Sequence, residues 1–133
     1  MAAPLGGHSD VVLVEGEFDA LLLAQHVGAI AGVATLASAA KRPSAQDIAA
    51  LGRVRRLWTA YDSDAAGQKG AASLGDLSAR IARLPWPDAK CKDITDLWRA
   101  GVDLTSWVVA SIGPGDLEAR LAWLVHHLSL IHI

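Results

Sequence analysis

The chain has 133 residues, enough for one domain with a real core, and its 12 Lys and Arg against 14 Asp and Glu leave a formal net charge of -2. Proteins that grip nucleic acid through a broad electrostatic face are normally basic, so any such contact here has to be local. A single cysteine, Cys91, excludes an internal disulfide framework and a cysteine-rich zinc site.

Residues 1–9 read as a flexible lead-in without the basic and apolar blocks of a signal peptide. The unbroken aliphatic run Val11-Val12-Leu13-Val14 predicts a fully buried strand of the parallel-sheet kind, ending at Glu15. Gly16 turns the chain into a helix over 17–27 with Glu17 and Asp19 in its first turn, where acids complement the helix dipole. From Ala20 to Ala40 there is no charged residue, a length that suggests a membrane span. Gln25, His26, Gly28 and Gly32 interrupt it, however, and a helix to Val27 followed by a buried strand over 33–36 accounts for it better. A cytoplasmic protein is expected. Lys41-Arg42-Pro43 then leads to a helix capped by Ser44, with Asp47 in the capping-box position and Gly52 as its stop.

A strand over 53–61 follows, then a helix over 65–81 with apolar spacing at Leu74, Leu77 and Ile81, then a short strand over 83–86. This alternation predicts an α/β fold, a mostly parallel four-stranded sheet with right-handed crossovers and helices on both faces. Helices over 94–100, stopped by Gly101, over 104–112 and over 116–128 form a C-terminal extension, with Trp98, Trp107 and Trp123 as core or docking residues. Cys91 reads as a packed or surface thiol although Lys90 and Lys92 flank it. Residues 128–133 fit neither an amphipathic pattern nor a cap and resemble translated sequencing-adapter sequence. The native chain is therefore expected to differ after about His127, and His126, His127 and His132 are not read as a metal cluster.

The chemistry concentrates in Tyr61-Asp62-Ser63-Asp64-Ala65-Ala66-Gly67, a strand, tight turn and helix start. Asp62 and Asp64, two apart, would project from one side of the strand's carboxyl end, where hard oxygen ligands suit Mg²⁺. The alternative is that they form the turn and cap the helix. Glu15 ends another strand, and in open α/β sheets the ligand crevice lies outside the carboxyl ends of the strands, so the two acids are candidates for one site. Lys41, Arg42, Arg53, Arg55 and Arg56 form a local basic excess that either meets a phosphate backbone or is solvated surface.

Three blocks in order, Val14-Glu15-Gly16-Glu17-Phe18-Asp19-Ala20-Leu21, then Tyr61 to Gly67, then Lys92-Asp93-Ile94-Thr95-Asp96-Leu97, resemble the Toprim domain in the version found in bacterial and phage DnaG-type primases. The resemblance runs from about Asp10 to Gly101. It implies a Toprim domain over 10–101, with 102–127 as helical extension and 128–133 as a non-native tail. It also implies a metal-dependent module of a primase-type nucleotidyltransferase acting in DNA replication. Glu15, Asp62 and Asp64 would be catalytic, and Glu15, Asp19, Asp62, Asp64, Asp93 and Asp96 would hold Mg²⁺ or Mn²⁺. The usual last acidic pair is spaced by two, whereas Asp93 and Asp96 are spaced by three, leaving open which reaches a metal.

Lys41, Arg42, Arg55, Lys69 and Lys92 are the candidate nucleic-acid contacts. Partners implied are a single-stranded DNA template, nucleoside triphosphates and a replicative helicase, with no membrane. Complete primases also carry a zinc-binding domain and a basic subdomain, so this chain alone is expected to be inactive. The same fold serves Toprim nucleases of the OLD and ribosomal-RNA-maturing types and non-catalytic modules that bind nucleic acid or a helicase. Gly67 and the Lys92-Asp93 block favour the primase version. A topoisomerase is disfavoured because Tyr61, the one tyrosine, lies on the strand beside Asp62.

Overall fold

The computed structural model describes residues 10–36, 44–47, 54–112, 121 and 125. Strand β1 (Asp10–Val14) leads through Gly16 to helix α1 (Glu17–Val27), then strand β2 (Gly32–Thr35) and strand β3 (Arg56–Ala60). Helix α2 (Ala65–Gly75), strand β4 (Ile81–Arg83), helix α3 (Ile94–Arg99) and helix α4 (Leu104–Ile112) complete the described elements. The four strands form one parallel sheet in the order β2-β1-β3-β4. This is the expected α/β architecture, a parallel four-stranded sheet with flanking helices and, after residue 101, a further helix.

Burial on both faces explains why the central strand is a continuous aliphatic run. Val12 and Val14 join one cluster with Leu23 and Val27 of α1, Ile94 and Leu97 of α3, and Leu104 and Val108 of α4. Val11 and Leu13 point the other way, into a cluster with Leu57, Tyr61 and the α2 residues Ala71 and Leu74. A strand alternates its side chains across the sheet, so a strand covered on both sides has no polar face to show.

Several boundaries differ from the sequence expectation. Helix α2 stops at Gly75 rather than continuing to residue 81, and Leu77 is 56% exposed. Glycine weakens a helix, and Ser78 then closes a turn by accepting the Arg80 N–H at 3.1 Å, which releases Ile81 to pair with Leu57 in the sheet. The last strand accordingly covers 81–83, not 83–86, and β3 is shorter than the predicted 53–61. The capping box is present: the Ser44 hydroxyl accepts the Asp47 N–H at 3.1 Å and the Asp47 carboxylate accepts the Ser44 N–H at 3.0 Å. Gly101, with φ of 86°, ends α3 as expected.

Residues 20–36 form helix and buried strand, the rest of the 20–40 stretch lying outside the described residues, and among the described residues no helix is long and apolar enough to cross a membrane. Trp107 is buried while Trp98 is 50% exposed. Lys41, Arg42, Gly52, Trp123, most of the predicted 116–128 helix and the 128–133 tail lie outside the described residues.

Candidate functional site

In the order β2-β1-β3-β4 the chain leaves β1 toward β2 on one side and returns through β3 on the other, so the sheet's topological switch lies between the carboxyl ends of β1 and β3. Glu15 is the first residue past β1, and Asp62 the second past β3. The Glu15 carboxylate accepts the Asp62 backbone N–H at 3.2 Å, while its carbonyl accepts the Thr35 hydroxyl at 3.1 Å. Two acids 47 residues apart thus meet at one point of the crevice.

Asp62 and Asp64 do not project side by side from a strand, because β3 ends at Ala60 and both lie in the following turn. Asp64 is the N-cap of α2: its Oδ1 accepts the Gly67 N–H at 2.8 Å, and its Oδ2 lies 3.6 Å from Lys92 Nζ. The turn is pinned to the third sequence block, since the Ser63 N–H donates to the Lys92 carbonyl at 2.8 Å and the Ser63 hydroxyl to the Cys91 carbonyl at 3.0 Å. Arg83 holds it from another direction, with Nη2 donating to the carbonyls of Tyr61 at 2.9 Å and Asp62 at 3.2 Å.

Asp19, one turn into α1, accepts the Thr95 hydroxyl at 2.9 Å. Burial raises its carboxyl above the ordinary value; the Thr95 hydrogen bonds oppose this, and the charges of Asp93 and Glu15 add to it. Asp62 is pushed up to about 7, first by burial and then by Glu15, Asp19, Asp93 and Asp64. Asp93 is therefore the member of the last acidic pair whose charge bears on both Asp19 and Asp62. Its Oδ1 also caps α3 by accepting the Asp96 N–H at 2.8 Å, while the Asp96 carboxylate turns back to accept the Lys92 N–H at 3.1 Å.

These donors are all oxygens, the hard set that suits Mg²⁺ or Mn²⁺. Among the described residues, however, no three His, Cys, Asp or Glu side chains stand together closely enough to enclose an ion. The arrangement fits a cation held by one or two carboxylates and completed by water and substrate phosphates, not a protein cage. The Glu15 carboxylate is brought onto the Asp62 backbone, and Asp19, Asp64 and Asp93, whose charges bear on the same crevice, are likewise engaged in hydrogen bonds.

Of the candidate basic residues, Lys92 stands at the crevice and Lys69 is exposed on α2. Arg55 lies at the opposite end of the sheet, roughly 15 Å away at about 3.3 Å per strand residue. There its Nη2 pairs with Asp10 at 3.0 Å, and Arg56 Nε pairs with the same carboxylate at 3.1 Å. Cys91 is buried and its thiol is raised by burial, so it is the packed thiol. Tyr61 is fully buried and burial pushes its hydroxyl up to about 12, which removes it as a nucleophile.

Sequence reading passed over Asp10, Thr95 and Arg83. Thr95 lies within the third block and was open to notice. Asp10 and Arg83 carried no signal, because their roles depend on strand register and on backbone carbonyls.

Residues 12–98 match the Toprim-like family. No curated protein matches the chain. Among solved structures, the primase fragment of the bacteriophage T7 primase-helicase protein superposes with a TM-score of 0.67 at 21% identity, over 81% of this chain and 45% of that one. The chain thus spans less than half of that fragment and shares its fold. With the three acidic blocks gathered at the switch point of a four-stranded parallel sheet, the chain belongs to the Toprim-like family and shares its fold with that primase fragment.

Proposed function

We propose that this chain is the divalent-metal-dependent Toprim module of a primase-type nucleotidyltransferase, a piece of a larger enzyme that starts strands in DNA replication. Residues 10–101 form the catalytic domain and 102–127 its helical extension. The observation that carries this reading is Asp62 at the crevice, where the Glu15 carboxylate meets its backbone and where burial first, and then the like charges of Glu15, Asp19, Asp93 and Asp64, push its carboxyl up to about 7. A crevice that gathers so much negative charge suits a cation and the phosphates the cation brings.

A bound Mg²⁺ or Mn²⁺ would supply charge neutralisation on the triphosphate and make the primer hydroxyl easier to ionise. Asp62, with Glu15 or Asp64, would hold that ion. Arg83 and the Glu15 carboxylate fix the backbone around Asp62, so the ligand oxygens do not have to be ordered at the moment of binding. In the transfer, the primer 3′-oxygen forms a bond to the α-phosphorus, the bond from that phosphorus to the bridging oxygen breaks, and pyrophosphate leaves. Glu15 takes the hydroxyl proton. Asp64 keeps α2 capped, and Lys92, beside Asp64, faces the phosphates that approach. A single-stranded template, nucleoside triphosphates and a replicative helicase are the partners of the whole enzyme, and the chain by itself does not prime.

Titration calorimetry with Mg²⁺ and Mn²⁺ tests the site on this chain. Wild type binds, and Asp62→Asn binds at least tenfold more weakly; equal binding by the two overturns the assignment. In an enzyme reconstituted with its missing domains, Glu15→Gln abolishes primer synthesis while the fold persists. Retained synthesis removes Glu15 from the chemistry.

A further inference from the structure

Beside the 62–64 turn lies a cleft of about 610 Å³ lined by Ser63, Gln68, Arg83 and Trp86 together with the short side chains of Ala72 and Ala89. Its volume falls in the range of small-molecule sites, about 300–1,000 Å³. Of its lining only Ser63 belongs to the three sequence blocks, and the acids of the proposed metal site do not line it.

Trp86 is held from two directions. Its Nε1–H donates to the Cys91 carbonyl at 2.8 Å, and its ring meets Trp107 edge-on, with centroids 5.7 Å apart and planes at 81°. The same Cys91 carbonyl accepts the Ser63 hydroxyl, so the ring and the 62–64 turn share one anchor. The half-buried ring is thus a fixed flat surface that loses little freedom when another ring lies against it. Gln68 is tethered through Nε2 to the Ser63 carbonyl at 2.7 Å, which places an amide at the cleft. Arg83 commits Nη2 to the carbonyls of Tyr61 and Asp62, while its buried Nη1 has no acceptor among the described residues.

A rigid aromatic face, an amide and a guanidinium, around a space left open by alanines, are together the lining that recognises a planar heteroaromatic ring bearing acceptors on its edge. We propose that this cleft is a nucleobase subsite, with the base against Trp86 and its edge toward Gln68 and Arg83. The inference deepens the proposed function, and rests on it in setting the phosphates of the same nucleotide near the 62–64 turn.

The base has two sources, a free nucleotide or a single strand, and calorimetry on the chain in EDTA separates them. Adenosine and uridine report the first and a single-stranded DNA tetramer the second. Binding of any of these is expected without metal, weakened about tenfold or more by Trp86→Leu and kept within a few-fold by Trp86→Phe. Because Trp86→Leu also removes a core contact, Ala72→Met is the companion variant: it fills the cleft from an exposed helix position and is expected to cost the same tenfold. No binding by wild type, or equal binding by wild type and Ala72→Met, overturns the subsite. Base binding that persists where Mg²⁺ binding is absent refutes the metal site alone. Mg²⁺ binding without base binding refutes the subsite alone.

Discussion

Gly67 is packed against the backbone of Asp62. A Cβ at Gly67 would run into the Asp62 carbonyl oxygen and lie 2.8 Å from its carbonyl carbon and 2.9 Å from its nitrogen. The obstacle is main chain, so no rotamer change relieves it. Gly67 is also the residue whose N–H Asp64 caps, so the glycine places the first turn of α2 and the candidate ligand Asp62 at once. Alanine favours helix over glycine by up to about 1 kcal/mol, which works against the clash. The backbone collision should prevail, and Gly67→Ala is expected to destabilise the fold by about 1–3 kcal/mol, read from urea unfolding. Unchanged stability would mean that α2 shifts freely away from Asp62.

Much of this relationship was legible before the fold. The aliphatic run before Glu15 and the strand-turn-helix around Asp62 are strong local patterns, and their order determined the sheet. The failures came where local pattern met a tertiary partner. Leu77 and Ile81 continue the helical spacing of Leu74, yet Ile81 gains more by pairing with Leu57 in the sheet, a competition that spacing alone cannot weigh. Asp64 was readable as cap or ligand, and only the 2.8 Å contact to Gly67 shows that it caps. The pairing of Arg55 with Asp10 was not legible, because the partner lies 45 residues earlier and meets it only through the β1–β3 register.

The cap and the metal role of Asp64 separate by substitution. Asparagine caps a helix about as well as aspartate, while alanine loses about 1 kcal/mol. The half-exposed ion pair with Lys92 adds little. Asp64→Asn should therefore match wild type in metal-free denaturation, whereas Asp64→Ala is weakened by about 1 kcal/mol. If Oδ2, which faces Lys92, serves the cation, both variants lose the same part of the Mg²⁺-induced rise in melting temperature. A full Mg²⁺ response in Asp64→Asn would leave the residue as a cap alone.

Asp10 is expected to matter for stability and not for the crevice. Its buried carboxylate accepts from Arg55 at 3.0 Å, Arg56 at 3.1 Å and Trp58 Nε1 at 3.3 Å, and Arg56 reaches on to the Ile112 carbonyl at 3.0 Å. This ties the amino ends of β1 and β3 to the end of α4. Hydrogen bonds to a charged group are worth about 1.5–3 kcal/mol, so Asp10→Ala should cost about 2–3 kcal/mol in denaturant unfolding. Arg55→Ala, whose side chain is 45% exposed, should cost about 1 kcal/mol or less. Mg²⁺ affinity should be the same in both variants, and a change would show that the two ends of the sheet are coupled.

The acidic crevice makes metal-free stability depend on pH in a direction opposite to that of most carboxylates. Burial, then the charges of Glu15, Asp19, Asp93 and Asp64, raise the folded-state value of Asp62 from 3.8 to about 7, and Asp19 moves the same way. Above about 7 both folded and unfolded chains carry an ionised Asp62, and only the folded chain bears the cost of it. Between about 7 and 3.8 the folded chain retains a proton that the unfolded chain has lost, so stability rises as pH falls through this window. In EDTA the melting temperature should be higher at pH 5.5 than at pH 8. Asp62→Asn removes the ionisation, so it should melt higher than wild type at pH 8 and show a flatter profile across the same range. Mg²⁺ at pH 8, binding the folded state alone, should recover for wild type what protonation provides at pH 5.5, with about 2.7 kcal/mol available at a hundredfold excess over Kd. A wild-type profile that rises from pH 5.5 to 8, or an Asp62→Asn profile that parallels it, would show that the carboxylates at the strand ends are relieved by contacts other than a shared proton or cation.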